Sequence, residues 1–162
     1  KTTAISIIKM DENLDSGDII SMKEVKIDNK IHSQISNGLL ILIGIEESDE
    51  KADADYLIQK TAGLRIFNDQ HSKMNLTVND VQGEILVVSQ FTLHAKTKKG
   101  NRPSFIKAAK PKSAIPLYNY FLMELNAHLL TEVKSGVFGA DMKISLINDG
   151  PVTIIIDSKK KE

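Results

Sequence analysis

The sequence predicts a mixed α+β fold with largely antiparallel sheets and two main helices. Three observations indicate this class: short runs that alternate apolar and polar residues, two continuous apolar runs of strand length, and one long amphipathic stretch. The elements follow the order strands, helix, strand, helix, strands, which differs from a regular βαβ array. At 162 residues the chain is long enough for one domain with a sizeable core.

The first half of the chain gives a hairpin, a buried strand and a helix. The segments EVKI and KIHSQI flank Asp28-Asn29, and alternation around a two-residue turn whose Asn tolerates positive φ predicts a hairpin. The run LLILIGI, which follows Gly38, is short and continuously apolar, so it predicts a buried strand. Asp49 is the predicted N-cap of a helix over about 50–62.

The second half adds a strand, a long helix and three further strands. EILVVSQFTL, residues 84–93, predicts a second buried strand that ends in polar residues. An amphipathic helix is expected over about 112–130, with one apolar face at helical spacing. That face consists of Leu117, Tyr118, Phe121, Leu122, Leu125 and Leu129. TEVKSGVF, MKISLIN and VTIIID are the three remaining strand candidates.

Composition narrows the class of protein. Formal net charge is zero and 41% of residues are hydrophobic, as in ordinary globular proteins. The longest apolar run is far too short to cross a bilayer, and no signal peptide is visible, so no membrane partner is expected. The absence of cysteine excludes disulfides and thiol nucleophiles, and together these features favour a cytoplasmic location.

The first candidate site is the polar end of the second apolar strand, Ser-Gln-x-Thr at Ser89, Gln90 and Thr92. Hydroxyl and amide groups at a strand end can orient a ligand or supply an oxyanion hole. Such residues are also common turn formers, so the motif alone decides little. Thr92 as a nucleophile would need a base. His94, two residues on, would lie on the same face of an extended strand.

The second candidate site is NDGPVT, Asn148 to Thr153, between two alternating runs. Glycine permits backbone geometry closed to other residues, and proline lowers the free energy of a cis bond. A Gly150–Pro151 pair in the cis form can aim two carbonyls in parallel. From composition alone, a generic Asp-Gly-Pro turn between two strands is the commoner explanation of the stretch.

Two further features concern charge and metals. KTKKGNR, with Lys96, Lys98, Lys99 and Arg102, carries four positive charges and no negative one, which is typical of a solvated loop or of a phosphate contact. The four histidines have no ligand spacing, and there is no Gly-rich phosphate loop, so neither a metal nor another cofactor is expected.

Several stretches in this order resemble the D-aminoacyl-tRNA deacylase family, also called D-tyrosyl-tRNA deacylase. They are SNGLLILIGIEESDE, GLRIFND, KMNLTV, GEILVVSQFTLHAKTKKGNRPSF and NDGPVT, and the resemblance runs from about Glu24 to Asp157. The resemblance implies a homodimer with an active site at each subunit interface. It also implies hydrolysis of the ester that links a D-amino acid, or mischarged glycine, to the terminal adenosine of tRNA.

The resemblance also assigns roles to residues. It implies that Ser89, Gln90, Phe91 and Thr92 line the catalytic pocket. It implies that Gly150 and Pro151, within a motif bounded by Asn148 and Thr153, form a cis pair that reaches into the partner's site. Carbonyls of that pair would meet the substrate's α-amino group and leave no room for an L side chain, which is discrimination by exclusion. The basic residues Lys96, Lys98, Lys99 and Arg102 would contact tRNA phosphates.

The expected mechanism depends on backbone groups, because no residue in these motifs is a strong base at neutral pH. We expect the N–H of Phe91 or Thr92 to stabilise the tetrahedral oxyanion, while the Thr92 hydroxyl orients substrate. The resemblance implies that the 2′-hydroxyl of the terminal adenosine assists.

The N-terminal segment departs from the family. Residues 1–23 are expected to form an atypical segment and residues 24–162 the deacylase domain. LDSGD, Leu14–Asp18, resembles a piece of methionyl-tRNA formyltransferase, but the upstream partners of Asp18 are absent. TTAISIIKM alternates well enough to supply an edge strand. No replacement is apparent for the Arg with which the family's first strand supports the active-site wall. An inactive or tRNA-binding-only fusion fragment is therefore the alternative to an active deacylase.

Overall fold

The computed structural model describes residues 4–10 and 23–161. These residues form ten strands, two α-helices and one 3₁₀ turn. The strands are β1 (Ala4–Met10), β2 (Lys23–Ile27), β3 (Lys30–Ile35), β4 (Gly38–Gly44), β5 (Phe67–Asn68), β6 (Met74–Leu76), β7 (Glu84–Ser89), β8 (Val133–Ser135), β9 (Lys143–Ser145) and β10 (Thr153–Asp157). The helices are α1 (Lys51–Gly63) and α2 (Pro111–Ala127), and the 3₁₀ turn is Phe91–His94. The predicted α+β class with two main helices is confirmed.

The strands form one large sheet and two small ones. The five-stranded sheet has the order β10-β1-β4-β7-β8, and a three-stranded sheet has the order β3-β2-β9. Pairs β4–β7 and β7–β8 are parallel, whereas the other pairs in these two sheets are antiparallel. Strands β5 and β6 form the third sheet, a small antiparallel hairpin that had no clear signal in the sequence.

The two faces of the large sheet explain why β4 is apolar at every position except its glycines. Leu39, Ile41 and Ile43 belong to the core cluster that includes the buried residues of α1 and α2. Leu40 faces the other way and packs with Val25 of β2 in a second cluster. A strand covered on both faces carries a continuous apolar run, so the sequence prediction of a buried strand here is confirmed.

The predicted hairpin before β4 is also confirmed. Strands β2 and β3 pair around Asp28 and Asn29, which have φ values of 51° and 60°. Two consecutive residues with positive φ suit the right-handed twist of a two-residue hairpin, and Asn and Asp tolerate this conformation.

The predicted cap of α1 is wrong by one residue. The N-cap is Glu50, whose backbone N–H donates to Asp53 Oδ2 over 3.0 Å. Asp49 instead accepts the N–H of Glu46 through Oδ2 over 2.6 Å. Burial raises the pKa of Asp53, but hydrogen bonds from Lys159, Glu50 and Ser158 outweigh that effect and hold the pKa below its usual value.

Two other element ends differ from the prediction. Helix α2 covers Pro111–Ala127, so Leu129 lies beyond its end, although Tyr118, Phe121 and Leu125 are buried as expected. Strand β7 ends at Ser89, and the chain then enters the 3₁₀ turn instead of continuing extended to residue 93.

The N-terminal segment does supply a strand, but not at an edge of the sheet. Strand β1 is hydrogen-bonded on one side to β4 and on the other to β10, with Ile5 opposite both Ile43 and Ile156. Ile5 and Ile7 are fully buried. The formyltransferase-like stretch Leu14–Asp18 lies outside the described residues. No helix in the described part of the chain is long and apolar enough to cross a membrane.

Candidate active site

A cavity of about 430 Å³ opens where β7 ends. Four separate segments of the chain form its walls. The lining residues are Ile43, Ile45, Val88, Ser89, Gln90, Phe91, Ala108, Ala109, Pro111, Ala114, Phe138, Gly139, Ala140, Asp141, Met142 and Ile144. Three of the four residues assigned to the pocket from the sequence, Ser89, Gln90 and Phe91, are therefore on its wall.

The 3₁₀ turn leaves two backbone donors at its start. Gln90 N–H donates to Ile43 O over 2.7 Å, and Leu93 N–H donates to Gln90 O over 3.3 Å. The N–H groups of Phe91 and Thr92, which lie between them, donate to no backbone carbonyl within the described residues. The first N–H groups of a helical turn have no partner within it, and paired donors of this kind can bind a developing oxyanion.

The Thr92 hydroxyl has no base beside it in the described part of the chain. Thr92 Oγ1 accepts a hydrogen bond from the Gln90 side-chain amide. His94 is buried at the end of the 3₁₀ turn, and its Nδ1 lies 3.5 Å from Glu46 Oε1. The idea that His94 lies on the same extended face as Thr92 is therefore wrong, because the chain is not extended there.

Phe91 presents an aromatic surface at the mouth of the cavity. Its side chain is 58% exposed, and its ring packs edge-on against Phe105 with the centroids 5.0 Å apart. Such a pair is held in a defined geometry while one face of Phe91 stays accessible.

One wall of the cavity was not identified from the sequence. Residues 138–142, between β8 and β9, supply five lining residues. Phe138 packs against Tyr118 at a centroid distance of 5.6 Å, and Tyr118 donates its hydroxyl hydrogen to Val87 O over 3.1 Å. Burial raises the pKa of Tyr118 to about 12, against a smaller opposing effect of Ser135, so the phenol stays a hydrogen-bond donor. The sequence prediction placed Phe138 at the end of the strand candidate TEVKSGVF and Met142 at the start of MKISLIN, so only Gly139, Ala140 and Asp141 between them could have signalled a loop.

The start of α2 forms another wall and is held by Glu47. Its carboxylate accepts the Lys110 N–H over 3.1 Å and the Ser113 hydroxyl over 2.7 Å. These two hydrogen bonds, that of Ser113 first, lower the pKa of Glu47. A carboxylate at a helix N-terminus satisfies donors that the helix leaves open, and here it fixes Pro111 and Ala114 at the cavity.

The Gly150–Pro151 turn lies apart from the cavity of its own chain. Its peptide bond is cis, both residues are exposed, and neither is among the lining residues in the described part of the chain. The Asn148 side chain makes two hydrogen bonds across the turn. Its Oδ1 accepts the Val152 N–H over 3.1 Å, and its Nδ2 donates to Thr153 Oγ1 over 2.9 Å. Asn148 and Thr153 therefore hold each other and the turn.

Strand β1 brings a cation, Lys9, to this turn. Lys9 is buried, with its Nζ 3.6 Å from Asp149 Oδ2 and 5.6 Å from the centre of the Phe67 ring. Its backbone N–H donates to Val152 O over 3.2 Å, and its carbonyl accepts the Asp149 N–H over 3.3 Å. Lys9 thus contacts the turn through both backbone and side chain.

The basic loop is closed at its base and open at its tip. Lys96 and Ser104 exchange backbone hydrogen bonds of 2.9 and 3.0 Å. All four cations, Lys96, Lys98, Lys99 and Arg102, are exposed. No group of three or more metal-ligating side chains occurs in the described segments.

The structure is therefore that of an α+β protein with a small cavity at the end of a strand, beside a 3₁₀ turn whose Phe91 and Thr92 N–H groups donate to no backbone carbonyl in the described part of the chain. The family model of D-Tyr-tRNA(Tyr) deacylase matches residues 20–157. The chain belongs to this family.

Similar proteins include two that are named D-aminoacyl-tRNA deacylase. The chain is 61% identical to the one from Flavobacterium psychrophilum and 56% identical to the one from Bacteroides fragilis. Each match spans 143 residues, which is 88% of this chain and 95% of the relative.

Two solved structures have a fold similar to that of this chain. A c-Myc DNA unwinding element binding protein superposes with a TM-score of 0.83 at 33% identity, over 94% of this chain and 97% of that one. A probable eukaryotic D-amino acid tRNA deacylase superposes with a TM-score of 0.76 at 16% identity, over 97% of this chain and all of the other, which shows the fold.

Proposed function

We propose that this chain hydrolyses the ester bond of D-aminoacyl-tRNA, and of glycine mischarged on tRNA, and releases the free amino acid and tRNA. The observation that carries this proposal is the cavity at the end of β7, together with the adjoining 3₁₀ turn, whose Phe91 and Thr92 N–H groups donate to no backbone carbonyl within the described residues. Family membership and high identity to proteins named D-aminoacyl-tRNA deacylase support it. They favour an active enzyme over a binding-only fragment.

In the proposed reaction, water adds to the ester carbonyl while negative charge develops on the carbonyl oxygen. The N–H groups of Phe91 and Thr92 receive that charge. The tetrahedral intermediate then expels the ribose oxygen, and the proton from water passes to it with help from the adjacent ribose hydroxyl. No side chain forms a covalent bond, which agrees with a Thr92 hydroxyl that is hydrogen-bonded to Gln90.

The direct test is release of D-tyrosine from D-tyrosyl-tRNA, with L-tyrosyl-tRNA as the control. We expect hydrolysis of the D ester only. A protein that binds both tRNAs and hydrolyses neither would instead be the binding-only fragment.

Replacing Thr92 by Ala should leave measurable activity. The substitution removes one hydrogen bond to Gln90 but keeps the backbone N–H, so we expect kcat to fall by no more than about tenfold. Single-turnover hydrolysis measures the rate, and tRNA binding measured in parallel shows whether the site still assembles. Complete loss of turnover with intact binding would support a covalent nucleophile.

We propose that the basic loop contacts tRNA phosphates. The support is a loop closed by the Lys96–Ser104 bridge with its cations exposed. Phosphate contacts release counterions, so KM should rise with salt, and replacing Lys98 and Lys99 by Ala should lower the slope of log KM against log salt by about 1.5. Replacing the exposed Lys30 and Lys73 removes the same charge elsewhere and should leave the slope unchanged. A KM independent of salt would contradict the contact.

We further propose that the enzyme acts as a cytoplasmic homodimer in which Gly150 and Pro151 complete the partner's site. Their position away from the cavity of their own chain supports this. Sedimentation at micromolar concentration should give a dimer, and specific activity should fall on dilution as dimers dissociate. A fully active monomer would rule out the cross-subunit role. The division at residue 23 into an atypical segment and a deacylase domain remains a prediction.

A further inference from the structure

A cluster of three ionisable side chains, two buried and one partly exposed, lies at the end of the 3₁₀ turn. It consists of His94, Glu46 and Lys107, whose side chains are 3%, 6% and 33% exposed. None of the three is among the cavity-lining residues of the described chain. The proposed mechanism uses none of them, so the burial of His94 and Glu46 requires another explanation.

The cluster joins three segments that carry the cavity walls. Glu46 Oε1 lies 3.5 Å from His94 Nδ1 and 3.2 Å from Lys107 Nζ. Glu46 also forms an isolated bridge with Ala108, and Ala109 N–H donates to Ile45 O over 2.8 Å. The end of the 3₁₀ turn is thereby held to residues 45–46 and 107–109, which include the lining residues Ile45, Ala108 and Ala109.

The other edge of the His94 ring rests on Gly44. A Cβ at Gly44 would lie 2.7 Å from His94 Nε2 and 3.2 Å from Gln90 O, so only glycine leaves room for the ring and for the start of the turn. Nε2 is buried and has no hydrogen-bond partner within the described residues. A proton on Nδ1 faces the Glu46 carboxylate, whose Oε1 lies 3.5 Å away, whereas a proton on Nε2 would be a buried donor without an acceptor within the described residues.

We propose that His94, held by Glu46, is the positioning residue that fixes the 3₁₀ turn and thereby aims the N–H groups of Phe91 and Thr92 at the ester carbonyl. The turn has only four residues, and two hydrogen bonds link its end to its start: Ala95 N–H donates to Thr92 O over 3.1 Å, and Leu93 N–H donates to Gln90 O over 3.3 Å. Movement at the end of the turn is therefore transmitted toward its first residues. This inference rests on the proposed function. Small displacements of preorganised donors reduce the rate of the chemical step more than they reduce binding.

The test compares four variants by steady-state hydrolysis of D-tyrosyl-tRNA. His94→Leu keeps the bulk and removes the donor, so kcat should fall about 10- to 100-fold while KM changes little. His94→Asn places an amide nitrogen where Nδ1 lies and should recover kcat to within about threefold of the parent. Glu46→Gln should act like His94→Leu. The double variant that combines His94→Leu and Glu46→Gln should lose no more kcat than either single variant, because each substitution removes the same interaction.

A matched control separates positioning from stability. Ile58→Val, in the core of α1 and away from the site, should lower the unfolding temperature by about 2–4 °C without changing kcat. An unchanged kcat in His94→Leu would overturn the proposal. So would a loss confined to KM, failure of His94→Asn to recover the rate, or a loss that Ile58→Val reproduces.

A second measurement does not depend on activity. In ¹⁵N spectra, His94→Leu should shift the amide resonances of Phe91 and Thr92, and His94→Asn should restore them. If the parent protein hydrolyses no D-tyrosyl-tRNA, the proposed function fails. The spectra still decide whether His94 positions the turn. Unshifted Phe91 and Thr92 resonances in His94→Leu would overturn the positioning role even in an active enzyme.

Discussion

A Gly150→Ala variant is expected to lose about 100-fold in kcat/KM for D-aminoacyl-tRNA, because it displaces the turn that we propose as the partner's chiral wall. Gly150 has a φ of +112°, which L residues rarely adopt, and an added Cβ would lie 2.8 Å from Val152 Cγ2 and 3.3 Å from Val152 N. Relief of that conflict must move the backbone of the turn. The strain should also lower the free energy of unfolding by about 1–3 kcal/mol.

The matched control is Gly63→Ala at the end of α1, where an added Cβ meets nothing within 4 Å. It should leave hydrolysis unchanged. Single-turnover rates with D- and L-tyrosyl-tRNA, together with thermal unfolding, distinguish the cases. A Gly150→Ala variant that keeps both its rate and its preference for the D ester would exclude this turn from chiral discrimination.

A Lys9→Glu variant is expected to fall about 100-fold in activity, because it reverses the charge that supports the same turn. Lys9 Nζ lies 3.6 Å from Asp149 Oδ2, and the Lys9 side chain is only 6% exposed. The new carboxylate would be buried and would face the Asp149 carboxylate, which is 39% exposed. A buried charge that loses its partner costs about 3 kcal/mol of unfolding free energy, and the exposure of Asp149 reduces that cost here. The unfolding temperature and the rate of D-tyrosyl-tRNA hydrolysis should therefore both fall.

Charge reversal provides the control. Asp149→Lys in the same chain restores an opposite pair and should recover part of both losses. Lys9→Arg keeps the cation and should retain most of the activity. If Lys9→Glu is fully active, the turn does not depend on β1 for its position.

The elements with strong local signals were predicted from the sequence, and their ends were not. The apolar run of β4 and the Asp28-Asn29 turn each carry their own signal, and both predictions are confirmed. The end of β7 depends on a distant contact, the bond from Gln90 N–H to Ile43 O, which no local pattern reveals. The cap of α1 shifted because Asp49 and Glu50 compete, and Asp49 is occupied by the N–H of Glu46.

The residues of the candidate site show the same contrast between local signals and distant contacts. The family resemblance implied that Ser89, Gln90, Phe91 and Thr92 line the pocket; the first three line the cavity, whereas Thr92 is not among its lining residues in the described part of the chain. Phe138 was missed because it was assigned to the strand candidate TEVKSGVF, whereas β8 ends at Ser135, and the short stretch that follows Phe138 has no periodic pattern. The support from Lys9 was missed for a different reason: the alternation of its segment predicted a strand, but only the sheet order places that strand beside β10.

Strand β1 joins parts of the chain that are far apart in sequence. One neighbour, β4, follows it closely, whereas the other, β10, comes from the far end of the described chain. Pairing over such a separation must close a very large loop, which slows folding and delays the sheet until the last strand is available. Because Ile5 and Ile7 are buried between both neighbours, the sheet is expected to be lost as one cooperative unit, so that amide hydrogens of β1 exchange with solvent only when the whole molecule unfolds.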